Sequence, residues 1–336
     1  MARNMSAIEP PHRENYKGLS VHYLNGGKNK ASVVIAKDIW FPGKEFGWMF
    51  LLNRLGFNVA YAPYRGTWLS QGEFISHADS AMSLTEDISD LIRSSLEKFG
   101  SSEVFILSYS LGGPPSLMAS TRCKEVSKIF MYGAPIYTDD SKLNRKYETE
   151  GDSVAKVGAN LSKLNANGGY FFGGYTGFSL EAYNKMILGG TQLNPYKSLR
   201  ELSQKQIFAM HSVTDKLVHC DRTVDFVNAL KQFCKENGIE PKIELELIDD
   251  GRGHRNGFGL EELFKAGTFF SGTLAPGVIE RLKNFIKQNQ RKIQKSDGEW
   301  LSVPFYDCVV RHVRELQREN TLHQEPSLEE ILAEIF

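Results

Sequence analysis

Residues 105–113 read FILSYSLGG, an unbroken apolar run followed by a serine that stands between small residues. An apolar run without alternation is typical of a strand covered on both faces, so residues 103–108 predict a buried strand. Gly112 and Gly113 favour a tight turn after it, and a short helix is predicted to follow. Ser110 is therefore predicted to lie on a sharp turn between a strand and a helix.

The rest of the chain alternates short apolar runs with amphipathic stretches, which predicts strand–helix–strand units and a mostly parallel sheet. Strands are predicted at residues 18–24, 31–37, 57–63, 126–132, 206–211 and 242–248, and helices at residues 45–55, 77–99, 221–237 and 276–290. The alternation breaks between residues 133 and 202, where Asn, Gly and Tyr are frequent. This stretch is predicted to be an insertion between two strands of one sheet, and a cap rather than an independent domain.

The composition limits the kinds of partner that the chain is expected to bind. The 336 residues include 40 Lys and Arg against 40 Asp and Glu, so the formal net charge is zero. Nucleic-acid binding needs a basic stripe, which this sequence lacks, and no nucleic-acid partner is expected. No run of 18 apolar residues predicts a membrane span. The four cysteines are far apart and the first residues carry no apolar signal segment, so a cytoplasmic protein is expected.

The turn at Ser110 resembles the nucleophile elbow of the α/β-hydrolases, whose pattern is small-x-nucleophile-x-small. Ser108 stands where that pattern commonly has glycine, and it is small enough to fit. The resemblance covers about residues 18–292. It implies the α/β-hydrolase fold, a mostly parallel sheet flanked by helices, and a serine hydrolase of the esterase, thioesterase or prolyl-oligopeptidase-like branch. It implies a small-molecule acyl substrate and no cofactor.

The resemblance also implies a base and an acid that follow the serine in chain order. Asp215 lies in a loop after the strand at 206–211, and His254 lies in a glycine-flanked loop after the strand at 242–248. A serine hydroxyl needs a base to lose its proton, and that base needs an acid to orient it. We therefore expect Ser110, His254 and Asp215 to form a triad. Asp249 and Asp250 are alternative acids, but they stand too close to His254 in the sequence to fit the family's order.

Of the other histidines, His211 lies inside a predicted strand and His219 follows the acid loop. Both are predicted to be core or supporting residues. The backbone N–H of Leu111 is expected to form part of an oxyanion hole, with a second donor from the loop after residues 31–37. That donor is Ile39 or Trp40, and the sequence leaves the register open.

Substrate contacts are expected from Tyr109 and from aromatic residues of the insertion. Residues 167–175 read NGGYFFGGY, and the aromatic residues among these glycines are Tyr170, Phe171, Phe172 and Tyr175. They favour either a flexible aromatic lid over an acyl group or a seal that packs the insertion onto the sheet. Arg65, in a loop that resembles the family's Arg-Gly loop, is predicted to support structure. The sequence contains no HExxH or clustered His and Cys spacing, and no metal site is expected.

The predicted organisation has four parts. Residues 1–134 form the first part of the core, residues 135–202 the cap, residues 203–296 the second part of the core and residues 297–336 a C-terminal helical extension. The extension is predicted either to pack on the body or to contact a second copy or a protein partner. The functional alternatives to a hydrolase are an acyltransferase or peptidase with the same triad, and a catalytically silent binding protein of the same fold.

Overall fold

The computed structural model describes residues 11–27, 30–38, 44–67, 70–77, 81–166, 175–249, 253–254, 258–272, 276–294, 298 and 300–304. Within these residues eight strands form one sheet: β1 (His12–Tyr16), β2 (Leu19–Leu24), β3 (Ser32–Ala36), β4 (Asn58–Tyr61), β5 (Val104–Tyr109), β6 (Val126–Tyr132), β7 (Gln206–Ser212) and β8 (Ile243–Ile248). Their order is β1-β2-β4-β3-β5-β6-β7-β8. Strands β3 to β8 run parallel to their neighbours among themselves, and β2 is antiparallel to both β1 and β4. The predicted mostly parallel sheet is confirmed.

Ten helices are described along the chain: α1 (Lys44–Arg54), α2 (Ala81–Phe99), α3 (Gly113–Arg122), α4 (Ser141–Thr149), α5 (Val154–Ala166), α6 (Leu180–Ile187), α7 (Leu199–Leu202), α8 (Asp221–Glu236), α9 (Leu260–Ser271) and α10 (Pro276–Asn289). Buried residues of α1, α9 and α10 share one hydrophobic cluster with the sheet, and those of α2, α3 and α8 share another. The two clusters cover opposite faces of the sheet. This double cover explains why the central strands read as continuous apolar runs instead of alternating.

The edge strand β1 escaped prediction because its sequence, HRENY, has no apolar face. Its place follows from a tight turn: Lys17 and Gly18 both have positive φ, 51° and 90°. Two such residues form the hairpin turn whose twist matches that of antiparallel strands. The turn therefore sets the pairing of His12 with Tyr23 and of Tyr16 with Leu19.

The insertion between β6 and β7 contains α4 to α7, so this stretch is more helical than its weak periodicity predicts. Apolar residues of α5 and α6, including Leu161, Tyr183 and Met186, are buried in the cluster on the α2 and α3 side of the sheet. The insertion therefore packs on one face of the molecule. Its helices are short, and each presents only a few apolar residues to that cluster.

The C-terminal part differs from its predicted organisation. Strand β9 (Gln290–Gln294) pairs with β10 (Trp300–Pro304) in a separate antiparallel ribbon. The helical extension predicted from residue 297 is therefore wrong at residues 300–304. Gly298, with φ of 83°, adopts a backbone conformation that glycine tolerates and that suits a turn between two strands. The predicted helices beyond residue 304 lie outside the described residues.

Candidate active site

The strand β5 ends at Tyr109, and Ser110 follows it with φ of 50°. A left-handed conformation is costly for any residue with a Cβ atom and persists only where its surroundings impose it. Here a 3-10 turn, Ser110–Gly112, leads directly into α3. The turn places the Ser110 side chain at the carboxyl end of the parallel strands, as the resemblance implies.

Two glycines after the serine let the turn pack closely. A Cβ atom on Gly112 would lie 2.2 Å from the carbonyl oxygen of Ala36, at the end of β3. A Cβ atom on Gly113 would lie 2.4 Å from the Cβ of Ala134, just after β6. Both distances are far below van der Waals contact. Glycine is therefore required at both positions, 112 and 113.

The structure brings together the three residues of the expected triad. Ser110 Oγ lies 2.7 Å from His254 Nε2, and His254 Nδ1 lies 2.7 Å from Asp215 Oδ2. The three residues are 7%, 7% and 6% exposed. A hydroxyl, an imidazole and a carboxylate thus form a continuous hydrogen-bonded line that is largely shielded from water. Asp249, the alternative acid that is described, has no contact of this kind among the hydrogen bonds of the described residues.

The carboxylate of Asp215 has four donors around it. Its Oδ1 accepts hydrogen bonds from the backbone N–H groups of Leu217 and Val218, at 2.8 and 2.9 Å. Its Oδ2 faces the imidazoles of both His254 and His211. Burial by itself raises the pKa of this carboxyl, but the hydrogen bonds from His211 and His254 outweigh it and hold the pKa well below its usual range. Asp215 is therefore ionised wherever the protein is folded near neutral pH.

Tyr109 fixes the backbone of the histidine loop at His254. The Tyr109 hydroxyl donates a hydrogen bond to the backbone carbonyl of His254. Its ring is 5% exposed, stacks on Tyr132 at 5.9 Å and packs against Phe258 at 5.8 Å. Both the ring and the hydroxyl of Tyr109 have partners inside the core, and its contact with substrate stays a prediction. Successive residues of a strand point to opposite faces, which separates Tyr109 from the elbow that follows it.

Tyr175, a further aromatic residue predicted to contact substrate, is also buried, and that contact stays a prediction. Tyr175 is 1% exposed and its backbone forms an isolated antiparallel bridge with Thr67. Its ring centre lies 5.7 Å from that of Phe74. Tyr175 thus fastens the insertion to the loop after β4, which favours the predicted seal over the predicted lid at this position. Tyr170, Phe171 and Phe172 lie outside the described residues.

The oxyanion donors are described in part. Leu111 follows Ser110 within the 3-10 turn and is buried. Ile39 and Trp40 lie outside the described residues, in the loop between β3 and α1. The described ends of that loop are joined by an ion pair of 2.7 Å between Lys37 and Glu45, with side chains 7% and 1% exposed.

Arg65 has the supporting role that the sequence predicts. Its guanidinium pairs with Asp87 and, at 2.7 Å, with Asp90, both on α2. It also donates to the carbonyl of Lys17 in the β1–β2 turn. Arg65 therefore ties the loop after β4 to a helix and to the edge of the sheet.

Metal-ligand atoms come together at one further place among the described residues. His219, Cys220 and Asp221 bring one such atom each within 4.8 Å of one another, at the start of α8. The other oxygen of Asp221 is paired with Lys146 at 2.6 Å. The three side chains are half-exposed, and the ammonium group of Lys146 already pairs with the carboxylate of Asp221. We assign no metal to this group.

Solved structures resemble this fold, whereas no protein-family model and no curated protein matches the sequence. A thermostable carboxyl esterase from Bacillus coagulans is 13% identical, with a TM-score of 0.56 over 79% of this chain and 98% of the other. The Pyrococcus furiosus esterase Pf2001 is 17% identical, with a TM-score of 0.52 over 76% and 87%. MGS-M2, an α/β-hydrolase enzyme from a Medee basin deep-sea metagenome library, is 15% identical, with a TM-score of 0.52 over 79% and 98%.

These likenesses and the strand order show that the chain has the α/β-hydrolase fold. At such low identity they establish the fold alone, since one fold hosts many functions. The function must be argued from the site. Among the described helices, none is both long and apolar enough to cross a membrane.

Proposed function

We propose that the protein is a serine hydrolase that cleaves an ester, thioester or amide acyl bond through an acyl-enzyme intermediate. The observation that carries this proposal is the line from Ser110 Oγ to His254 Nε2 to Asp215 Oδ2, with 2.7 Å at each step. Those distances are within the range in which a base takes up the proton of a nucleophile. The strained backbone at Ser110 adds to the argument, because strain of this kind persists at sites that use it.

In the proposed reaction, Ser110 Oγ attacks the carbonyl carbon of the substrate while its proton passes to His254 Nε2. The N–H at His254 Nδ1 stays hydrogen-bonded to the Asp215 carboxylate, whose negative charge stabilises the imidazolium. The tetrahedral intermediate collapses when His254 gives its proton to the leaving alcohol, thiol or amine. Water then attacks the acyl-enzyme by the same route in reverse and restores Ser110.

The oxyanion of each tetrahedral intermediate needs hydrogen-bond donors. We assign one to the backbone N–H of Leu111, the residue after the nucleophile, as in the elbow that this turn resembles. The second is assigned to Ile39 or Trp40. The buried ion pair between Lys37 and Glu45 supports this assignment, because it fixes both described ends of the loop that carries these two residues.

The insertion is proposed to cap the site. Its backbone reaches the acid loop, where the N–H of Ser153 donates to the carbonyl of Leu217 at 3.1 Å. It also reaches the loop after β4 through Tyr175 and Thr67. Both loops leave the carboxyl ends of strands, the end at which Ser110 lies. An insertion tied to these loops is placed to limit the size of the acyl group, which favours an esterase or thioesterase of restricted chain length.

The test is hydrolysis of p-nitrophenyl esters of increasing acyl length, together with thioester and aminoacyl-amide substrates. Ser110→Ala should lower kcat by at least about 10³-fold with at least one of these substrates, because it removes the nucleophile. The matched control is Ser120→Ala, which removes a buried hydroxyl on α3 that bonds only the carbonyl of Leu117 among the described contacts. The control should keep wild-type activity. Wild-type activity in Ser110→Ala would contradict the assignment.

A further inference from the structure

A second histidine lies against the proposed catalytic acid. His211 is the sixth residue of β7, four residues before Asp215, and its side chain is fully buried. Its Nε2 lies 3.2 Å from Asp215 Oδ2 and 3.0 Å from the carbonyl oxygen of Val218. Its Nδ1 lies 2.8 Å from Thr223 Oγ1 on α8. Both ring nitrogens are therefore engaged, one of them with the acid loop.

The partners of the ring fix which nitrogen carries a proton. A carbonyl oxygen only accepts, so the contact with Val218 requires a hydrogen on Nε2. The Val218 carbonyl lies 3.0 Å and Asp215 Oδ2 3.2 Å from the nitrogen that carries this hydrogen. In the neutral ring Nδ1 then accepts from the Thr223 hydroxyl. His211 is thus held as an Nε2–H tautomer whose proton faces the carboxylate.

Asp215 Oδ2 consequently stands between two imidazole donors. The donor on His254 is at 2.7 Å and the donor on His211 at 3.2 Å. The thiol of Cys220 also lies within range of this charge: its pKa is raised by burial first, then by Asp221 and by Asp215. Lys216, the charged residue next along the chain, is exposed, whereas Asp221 pairs with Lys146 and Arg222 pairs with Asp152.

We propose that His211 is a positioning residue for the catalytic acid, through a hydrogen bond from its Nε2–H to Asp215 Oδ2. This inference rests on the proposed function. The bond has two consequences. It fixes the carboxylate in the orientation that presents Oδ2 to His254, and it withdraws negative charge from that oxygen. With less charge on Oδ2, Asp215 stabilises the imidazolium of His254 less.

The test compares three variants, each of which replaces one histidine by an amide side chain. His211→Asn keeps a polar group near the Nδ1 position but cannot reach Asp215, whereas the amide nitrogen of His211→Gln takes the place of Nε2. His219→Asn is the control: this histidine is four residues beyond Asp215, is partly exposed, and contacts Glu150 and Asp221 instead. The readouts are kcat and KM for an ester substrate, and the acid limb of the pH profile of kcat/KM.

We expect His211→Asn to lower kcat about 10- to 100-fold with little change in KM, the range for one hydrogen bond to a charged group. Its acid limb should move to higher pH, since the more concentrated charge on Asp215 holds the proton on His254. His211→Gln should return both quantities to within about threefold of the wild type, and His219→Asn should leave them unchanged.

Several outcomes would overturn the inference. One is a His211→Asn variant with wild-type kcat and acid limb. Another is an acid limb that stays in place while kcat falls equally in the Asn and Gln variants, which would indicate packing alone. Should the variants not fold, ¹⁵N-histidine NMR of the wild-type protein decides, because a His211 ring protonated only at Nδ1 contradicts the proposal. Absence of any wild-type hydrolysis would instead contradict the proposed function.

Discussion

Gly113 shows how little space the nucleophile turn has. Its α-carbon faces Ala134, where an added Cβ atom would come within 2.4 Å of the methyl group of the alanine. Ala134 is buried directly after β6, and its carbonyl oxygen lies 3.3 Å from Thr223 Oγ1 on α8. Neither partner can move without disturbing the elbow or the helix after the acid loop.

Because the two residues are in contact, we expect a substitution at Ala134 to compensate for one at Gly113. Gly113→Ala should destabilise the protein by about 1–3 kcal/mol through overpacking and should lower kcat by displacing Ser110. Adding Ala134→Gly removes the opposing methyl group, so the double variant should recover most of the activity. The backbone terms of the two substitutions oppose each other, because one glycine is lost and one is gained, so the stability should also return close to that of the wild type. Urea midpoints and kcat of the two single variants and the double variant measure this.

The double variant is informative in both directions. Recovery of kcat shows that the single defect is steric and lies between these two residues. Equal activity of Gly113→Ala and the double variant would show that the methyl contact does not control the elbow.

At the scale of elements, the acid loop is held between the insertion and α8. Arg222, in the first turn of α8, pairs through its Nε with Asp152, which precedes α5 of the insertion. The two side chains are 5% and 3% exposed. The guanidinium also lies 4.6 Å from the ring centre of Tyr147 and donates to the carbonyl of Ile136. A buried cation with these contacts couples the insertion to the helix that follows Asp215.

Asp152→Asn should therefore lower the stability of the protein strongly, although it replaces only one carboxylate oxygen by an amide nitrogen. It keeps an oxygen to accept from the N–H of Val154 but leaves Arg222 with its charge unbalanced in the interior. The expected cost is about 3–5 kcal/mol in the free energy of unfolding, the range for breaking a buried pair. The insertion should also become more susceptible to proteolysis. Urea unfolding and limited proteolysis measure the two effects.

The matched control is Asp139→Asn in the same insertion. Asp139 pairs with Lys197 at 3.1 Å, but both side chains are more than half exposed. An exposed pair of this kind contributes no more than about 1 kcal/mol. If the two variants lost the same stability, the buried pair would not be what joins the insertion to α8.

Helix α9 shows where sequence reasoning fell short at this scale. Residues 260–271 lie between the histidine loop and α10 and were not predicted to be helical. Yet Leu263, Ala266 and Phe270 fall at helical spacing after two acidic residues in the first turn, and all three are buried against the sheet. This spacing of apolar residues is typical of a helix, so α9 was predictable from the sequence.

For the whole molecule, the order of the chemical groups was the most predictable feature. Each expected member of the triad follows its own strand, and the carboxyl ends of parallel strands meet at one edge of the sheet. The convergence of Ser110, Asp215 and His254 therefore follows from short local patterns in a mostly parallel sheet. Strand β1 has no apolar pattern from which it could be predicted. The pairing of β9 with β10 was missed because the C-terminal part was expected to be helical.

Contacts between distant elements were beyond local patterns. Tyr109 and Tyr175 are aromatic residues near a predicted site, but only packing decides that one holds the histidine loop and the other the insertion. His211 is different, because a histidine four residues before the acid is visible in the sequence. Only the distance between the two side chains shows that His211 contacts Asp215.

The central claim is that Ser110 is a nucleophile activated by His254. The most direct measurement is reaction of the folded protein with a fluorophosphonate, followed by intact-mass analysis and peptide mapping. We expect one adduct per chain, located on Ser110 and lost in Ser110→Ala but retained in Ser120→Ala. An unlabelled wild-type protein that is folded, an adduct on another residue, or undiminished labelling of Ser110→Ala would contradict it.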